Sequence, residues 1–248
     1  MRSSSCRVQA SFSVLSLLLI VPAGASSQEV SLEFPIVFAS RQLKARPSPL
    51  ARSAAVERGG SGQLLVRMPD RSTVILVDGK LNQAASDLPI DVMEPDVSYD
   101  GARVVFSGYI RGENGFRIFE IGADGKGLRQ VTRSDRSVDL SRHGTAAPSL
   151  EGYDDVDPCY LPDGRICFVS TRYPETAPDG RLRATNLFVV NSDGTDLHRI
   201  TTERFGADTP AVDPVSGRIV YSRWWRSAQP MDSRTGQIAP PVPPGGYY

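Results

Sequence analysis

The chain has 248 residues, with 28 Lys+Arg against 28 Asp+Glu, 40% hydrophobic and 23% charged residues, the make-up of an ordinary globular protein. The zero net charge leaves no basic excess to neutralise a phosphate backbone, which argues against a dedicated nucleic-acid binder. No charge block or low-complexity run dominates, so wholesale disorder is not expected, while 22 Gly and 19 Pro predict a turn-dense fold.

Residues 1–25 read as a secretory signal peptide. Arg2 and Arg7 form a basic start, Phe12 to Val21 is apolar, and Ala23-Gly24-Ala25 is an A-x-A cleavage signal. The apolar run is too short for a membrane span, and no later run is longer. Removal of this segment takes two Arg and leaves 26 − 28 = −2. The expected location is periplasmic or secreted. Cys6 leaves with the leader, so Cys159 and Cys167 remain in an oxidising compartment.

Pro35 to Arg41 predicts a strand, followed by two more at Leu64–Met68 and Thr73–Val77 around Pro69-Asp70. Then a hairpin recurs. Pro95 to Ser107, Pro158 to Ser170 and Pro210 to Ser222 each read as short strand, Gly-containing turn, then a β-branched and aromatic strand ending in Ser. A second hairpin follows the first two copies. Phe119 to Thr132 and Phe188 to Thr201 align without gaps, with Phe, Asp-Gly, Leu and Thr at the same offsets. Two hairpins make a four-stranded antiparallel unit, with strands A to D. Such units repeating along a chain without sustained helical periodicity predict an all-β fold, a β-propeller of four-stranded antiparallel blades.

The Pro-Asp-Gly-x-Ile-x-Phe and Asp-Gly…Leu…Thr pattern resembles the WD40-like, TolB-type propeller repeats of exported bacterial proteins. The segment Tyr153 to Arg172 is similar to large secreted propellers related to the hydrazine synthase alpha subunit. The resemblance covers residues 94–223 strongly and 33–80 weakly. It implies the fold; function it leaves open, because propellers host many activities.

The expected organisation is a signal peptide (1–25) and propeller blades within 26–235: a partial blade 33–80, blades 94–132 and 157–201, and a partial blade 209–225. A Pro/Gly-rich tail or linker (236–248) follows. About 13 strands do not fill four blades, so an incomplete ring of about three blades plus partial strands is expected. The chain then reads as the leading piece of a longer protein, the alternative being a small ring that shares strands between its ends.

The A–B and C–D turns are tight and share one face. The other connections are expected to be long: Gly108–Gly115, Tyr173–Thr185 and Arg133–Val156. Long loops mark the opposite face as the candidate binding surface. Its candidate ligand-binding residues are His143, Asp154, Asp155, Asp157, Arg172 and Arg223. The arginines could take a carboxylate bidentately or could simply pair with neighbouring Asp at the blade edge. The acidic group with His143 could hold a cation or be a solvated loop, so a metal site is left undecided. Asn191 to Asp196 echoes a calcium loop but reads as a repeated turn.

Cys159 and Cys167 lie on one hairpin, close to opposite each other. Either they form a disulfide or they pack as two buried thiols. Adjacent Trp224 and Trp225 end the last strand, and one must face away from the core. No catalytic motif is visible, neither G-x-S-x-G nor C-x-x-C-H. The expectation is a non-catalytic exported scaffold for a protein or small ligand, with no nucleic acid, no membrane span and no evident cofactor. The alternative is the propeller part of a larger secreted enzyme, either a peptidase or a haem protein whose haem a further C-terminal region would carry.

Overall fold

The computed structural model describes residues 32–42, 60–176 and 183–223. The segment expected to be a signal peptide (1–25, with Cys6), Trp224–Trp225 and the 236–248 segment lie outside the described residues. Among the described residues thirteen strands form four antiparallel sheets, and the only helical turns are 3-10 segments at Leu81–Ala84 and Ser141–Leu150. The first sheet is β1 (Ile36–Arg41), β2 (Gly62–Arg67) and β3 (Thr73–Asp78). The second is β4 (Asp91–Val97), β5 (Arg103–Ile110), β6 (Gly115–Gly122) and β7 (Arg129–Gln130). The third is β8 (Asp155–Tyr160), β9 (Ile166–Ser170), β10 (Asn186–Val190) and β11 (His198–Arg199). The fourth is β12 (Ala207–Val212) with β13 (Ile219–Arg223).

The sheets stack face to face, and each junction is an apolar core. Leu64, Val77, Val104 and Phe106 fill the first junction. Val105, Ile118, Ile166, Phe168 and Phe188 fill the second. Cys167, Val169, Leu187 and Ala207 fill the third. Adjacent residues Val104 and Val105 therefore serve opposite junctions, as the pleat requires. A sheet covered on both faces needs apolar residues at successive positions, which is why β5, β6, β9 and β10 are buried almost throughout. On the outward faces of the first and last sheets Ile36, Phe38, Ile75 and Val220 are exposed.

The tight turns are one device repeated. Asp100, Asp124, Asp163 and Asp193 each accept a hydrogen bond from the backbone N–H two residues on, at 2.9–3.1 Å. The intervening Gly101, Gly125, Gly164 and Gly194 have φ of +70° to +88°, a conformation that costs a glycine nothing. Ser98 and then the Ala102 amide hold the Asp100 carboxyl below its usual pKa, and Thr195 does the same for Asp193.

One connection differs from the sequence expectation. The strands β5 and β6 pair as far as Ile110 and Gly115, so this link is a four-residue turn with Asn114 at φ +48°. The apolar Tyr109, Ile110 and Phe116 extend the ladder into what reads as loop, because Ile110 and Phe116 are buried. The inner strands also begin before the repeated prolines, at Asp91, Asp155 and Ala207.

Phe168 is fully buried and stacks on Phe188 at 5.9 Å. Phe168→Ala should lower unfolding free energy by about 3–5 kcal/mol in urea titrations. Val215→Ser, at a turn position 94% exposed, should change it by less than about 0.5 kcal/mol.

Candidate binding site in the axial hollow

The innermost strand of each sheet is its edge strand, the one place in a sheet that tolerates proline. In β4, β8 and β12 the proline follows a residue in the left-handed region: Glu94 (φ +53°), Asp157 (φ +56°) and Thr209 (φ +50°). Each Xaa-Pro pair is a bulge. Two residues of the inner strand stand against one of the next strand, and the ladder resumes beyond them. The residue skipped by the register is Phe106, Phe168 or Tyr221 in turn.

Left-handed backbone costs about 1–2 kcal/mol in a residue with a Cβ. Here it turns side chains toward the neighbouring inner strand. Glu94 Oε2 accepts the Asp157 N–H at 2.7 Å and the Ser107 hydroxyl at 3.2 Å. Asp157 Oδ2 in turn accepts the Thr209 N–H at 2.6 Å. Asp96 Oδ2 accepts the Tyr160 N–H at 2.8 Å. The inner strands are thus joined, each to the next, by carboxylate-to-amide bonds.

Between these strands lies a cavity of about 520 Å³, walled by Glu94, Asp96, Tyr99, Asp157, Cys159 and Pro210 among others. Among the described residues no lysine, arginine or histidine lines it. Solvent reaches Glu94 through the hollow, while protein crowds its other sides. Desolvation and then the neighbouring Asp157 push its pKa up to about 7. Desolvation raises Asp157 to about 6, and it raises Asp96 as well.

The loop face is arranged differently: its charges are matched. Arg172 binds buried Asp155 through two nitrogens, at 2.6 and 3.2 Å. Burial works against the Arg172 charge, yet Asp155 outweighs it and the pKa is raised. Ser170 donates to the same carboxylate at 2.6 Å. Three guanidinium groups surround the Tyr153 ring: Arg117 at 4.3 Å, Arg136 at 5.0 Å and Arg172 at 5.2 Å. The Tyr153 hydroxyl donates to the Arg133 carbonyl. This cluster pins the long segment after β7 to the second and third sheets.

The residues expected at the binding surface are therefore distributed. Asp154 accepts the Phe116 N–H at 3.0 Å. Arg223 binds Glu203 at 2.6 Å. His143 sits in the 3-10 segment, where its N–H donates to the Leu140 carbonyl. Asp157 alone of the six lines the hollow. Among the described residues no three His, Cys, Asp or Glu side chains come together to hold a metal ion. The Asn191–Asp196 segment is a turn, closed by the Gly194 N–H on the Asn191 carbonyl. Glu94 and Asp96 were not among the sequence candidates. The signal for Glu94 was the residue before proline at the repeat spacing, in Glu94-Pro95, Asp157-Pro158 and Thr209-Pro210; Asp96 follows the first of these prolines.

No family model and no curated protein matches this chain. Among solved structures, Kuenenia stuttgartiensis hydrazine synthase superposes with a TM-score of 0.50 at 17% identity, over 76% of this chain and 27% of that one. The fold is a β-propeller, here of four antiparallel sheets among the described residues. TolB of Agrobacterium tumefaciens gives a TM-score of 0.46 at 17% identity (65% of this chain, 45% of that one), and TolB of Acinetobacter baumannii gives 0.42 at 12% (65% and 32%). This propeller spans less than half the length of each of these structures. At these identities the likeness concerns the fold alone.

Two predictions follow from the charges. Glu94 is protonated more readily in the folded propeller than in the unfolded chain, so between about pH 4 and pH 7 the native state holds the extra proton and stability falls as pH rises. Glu94→Gln should match the parent's melting temperature near pH 4 and exceed it by a growing margin up to pH 8. A margin that stays constant with pH would refute the assignment. Arg172→Ala leaves Asp155 buried without its cation and should cost about 3–5 kcal/mol in denaturant titrations.

Proposed function

We propose that this chain is the propeller module of an exported protein and acts as a non-catalytic binding scaffold, taking a cationic group of a protein segment or small ligand into the axial hollow. One observation carries this reading. Glu94, Asp96 and Asp157 converge on a cavity, and none has an ion-pair partner within 4 Å among the described residues, whereas Asp91, Asp155, Glu120 and Glu203 each have an arginine. A carboxylate pushed toward neutrality by burial regains its charge when a cation arrives, so binding releases protons. A guanidinium or ammonium group satisfies the oxygens that the backbone amides leave over.

The leader at residues 1–25 supports export, and no helix among the described residues is long and apolar enough to cross a membrane. The candidate loop-face residues His143, Asp154, Asp155, Arg172 and Arg223 belong to the rim in this reading, positioning loops rather than holding ligand.

The test uses agmatine, a guanidinium-bearing amine, titrated into the full chain by calorimetry. Binding is expected at pH 8, weaker at pH 5. Glu94→Gln with Asp157→Asn should weaken it about 10-fold or more, the loss of two charge-assisted contacts. Equal binding by the variant, or no binding by the parent, defeats the proposal.

A second reading, in which the propeller belongs to a larger exported enzyme, is favoured by the likeness to hydrazine synthase over 27% of that chain.

A further inference from the structure

Cys159 and Cys167 are register partners on β8 and β9. Their side chains project to the same side of the sheet, into the junction with the fourth sheet, beside Val169, Leu187 and Ala207. Both are buried, 7% and 0% exposed, and both are thiols. Two residues nearer the turn, the Leu161 N–H donates to the Arg165 carbonyl at 2.8 Å. Antiparallel pairs alternate in class, so the Cys159–Cys167 pair is again a hydrogen-bonded one, with a typical Cα separation of about 5.5 Å. That lies inside the roughly 4.4–6.8 Å that a disulfide spans. Both thiols lie in the same apolar junction. Cys159 is also part of the wall of the hollow, two residues from Asp157.

We propose that Cys159 and Cys167 close a cross-strand disulfide, by exchange with an external disulfide such as oxidised glutathione or an oxidoreductase. The thiolate of one cysteine attacks a donor sulfur, forming a mixed disulfide and expelling one donor thiolate. The other cysteine's thiolate then attacks the protein sulfur of that mixed bond and expels the second donor thiolate. The two cysteines lose two protons and two electrons. The donor disulfide gains both and leaves as two thiols.

The timing follows from the burial. Contact with Cys167 and then desolvation raise the Cys159 pKa well above that of a free thiol, so the nucleophilic thiolate is scarce once the third junction has closed. Exchange therefore precedes the docking of β12 and β13 onto the third sheet. Once formed, the bond ties β8 to β9 beside the bulge at Asp157 and stiffens one wall of the hollow. It requires an oxidising compartment in the cell, and to that extent it rests on the export reading. It does not depend on what the hollow binds.

The experiment uses the full chain carrying Cys6→Ser, which leaves the two cysteines in question. The chain is refolded in a mixture of reduced and oxidised glutathione, then denatured and treated with N-ethylmaleimide. The expected product takes no label and has an intact mass about 2 Da below that of the reduced chain; dithiothreitol restores two labels. Two labels on a chain that has regained its β-sheet circular dichroism would overturn the proposal. A Cys159→Ala/Cys167→Ala chain gives a second reading. Its melting temperature should ignore dithiothreitol, while that of the Cys6→Ser chain should fall. No fall in the latter also overturns the proposal. A chain that oxidises on refolding but is isolated reduced from its native host would separate failure of the export reading from failure of this one.

Discussion

The geometry of this molecule depends on one kinked dipeptide, used three times. In Glu94-Pro95, Asp157-Pro158 and Thr209-Pro210 the residue before the proline stands in left-handed backbone within the inner strand of a sheet. The cost is a small strain and a lost ladder bond. The return is that a carboxylate from one inner strand reaches the peptide N–H of the next. Apolar packing holds the sheets together but is indifferent to small slides along a junction. A charge-assisted bond of 2.6–2.7 Å is not, so these bonds fix how the inner strands sit against one another.

The same bonds decide the electrostatics. A carboxylate that serves as an inter-strand tie must stand at the axis, and at the axis it faces other carboxylates. Glu94 meets Asp157, and Asp157 meets Asp208. Desolvation first, and then these neighbouring carboxylates, raise their pKa values, against the lowering by the tie bonds themselves. On the loop face the architecture takes the opposite course. There Arg172 matches the buried Asp155, and Tyr153 serves as a platform for three arginines. One surface is electrostatically closed and the other is left open to a cation, and this contrast is the basis for placing the ligand in the hollow.

The third sheet shows how closely structure and site are coupled. Its inner strand carries the tie at Asp157, a cysteine in the wall of the hollow, and Tyr160, whose hydroxyl donates to Glu120 of the second sheet at 2.8 Å. Glu120 is held in turn by Arg129. A change at the hollow is thereby connected to the neighbouring junction through one strand of six residues.

The sequence by itself determined the repeat. Asp-Gly turns, paired hairpins and apolar runs on both faces of a strand are local, and they specify four-stranded antiparallel sheets without reference to anything distant. It also marked Cys159 and Cys167 as near-opposite, since a short hairpin fixes its own register. What only the tertiary structure decided was which polar residues meet. Arg172 and Asp155 are 17 residues apart and Asp157 and Glu94 are 63 apart. Whether an acid is neutralised or left facing a cavity depends on how one sheet stacks on the next. The long-loop rule pointed to the outer face because loops show in a sequence. The hollow did not show, because its wall is built from short runs of three strands far apart in sequence, which only the stacking of the sheets brings together.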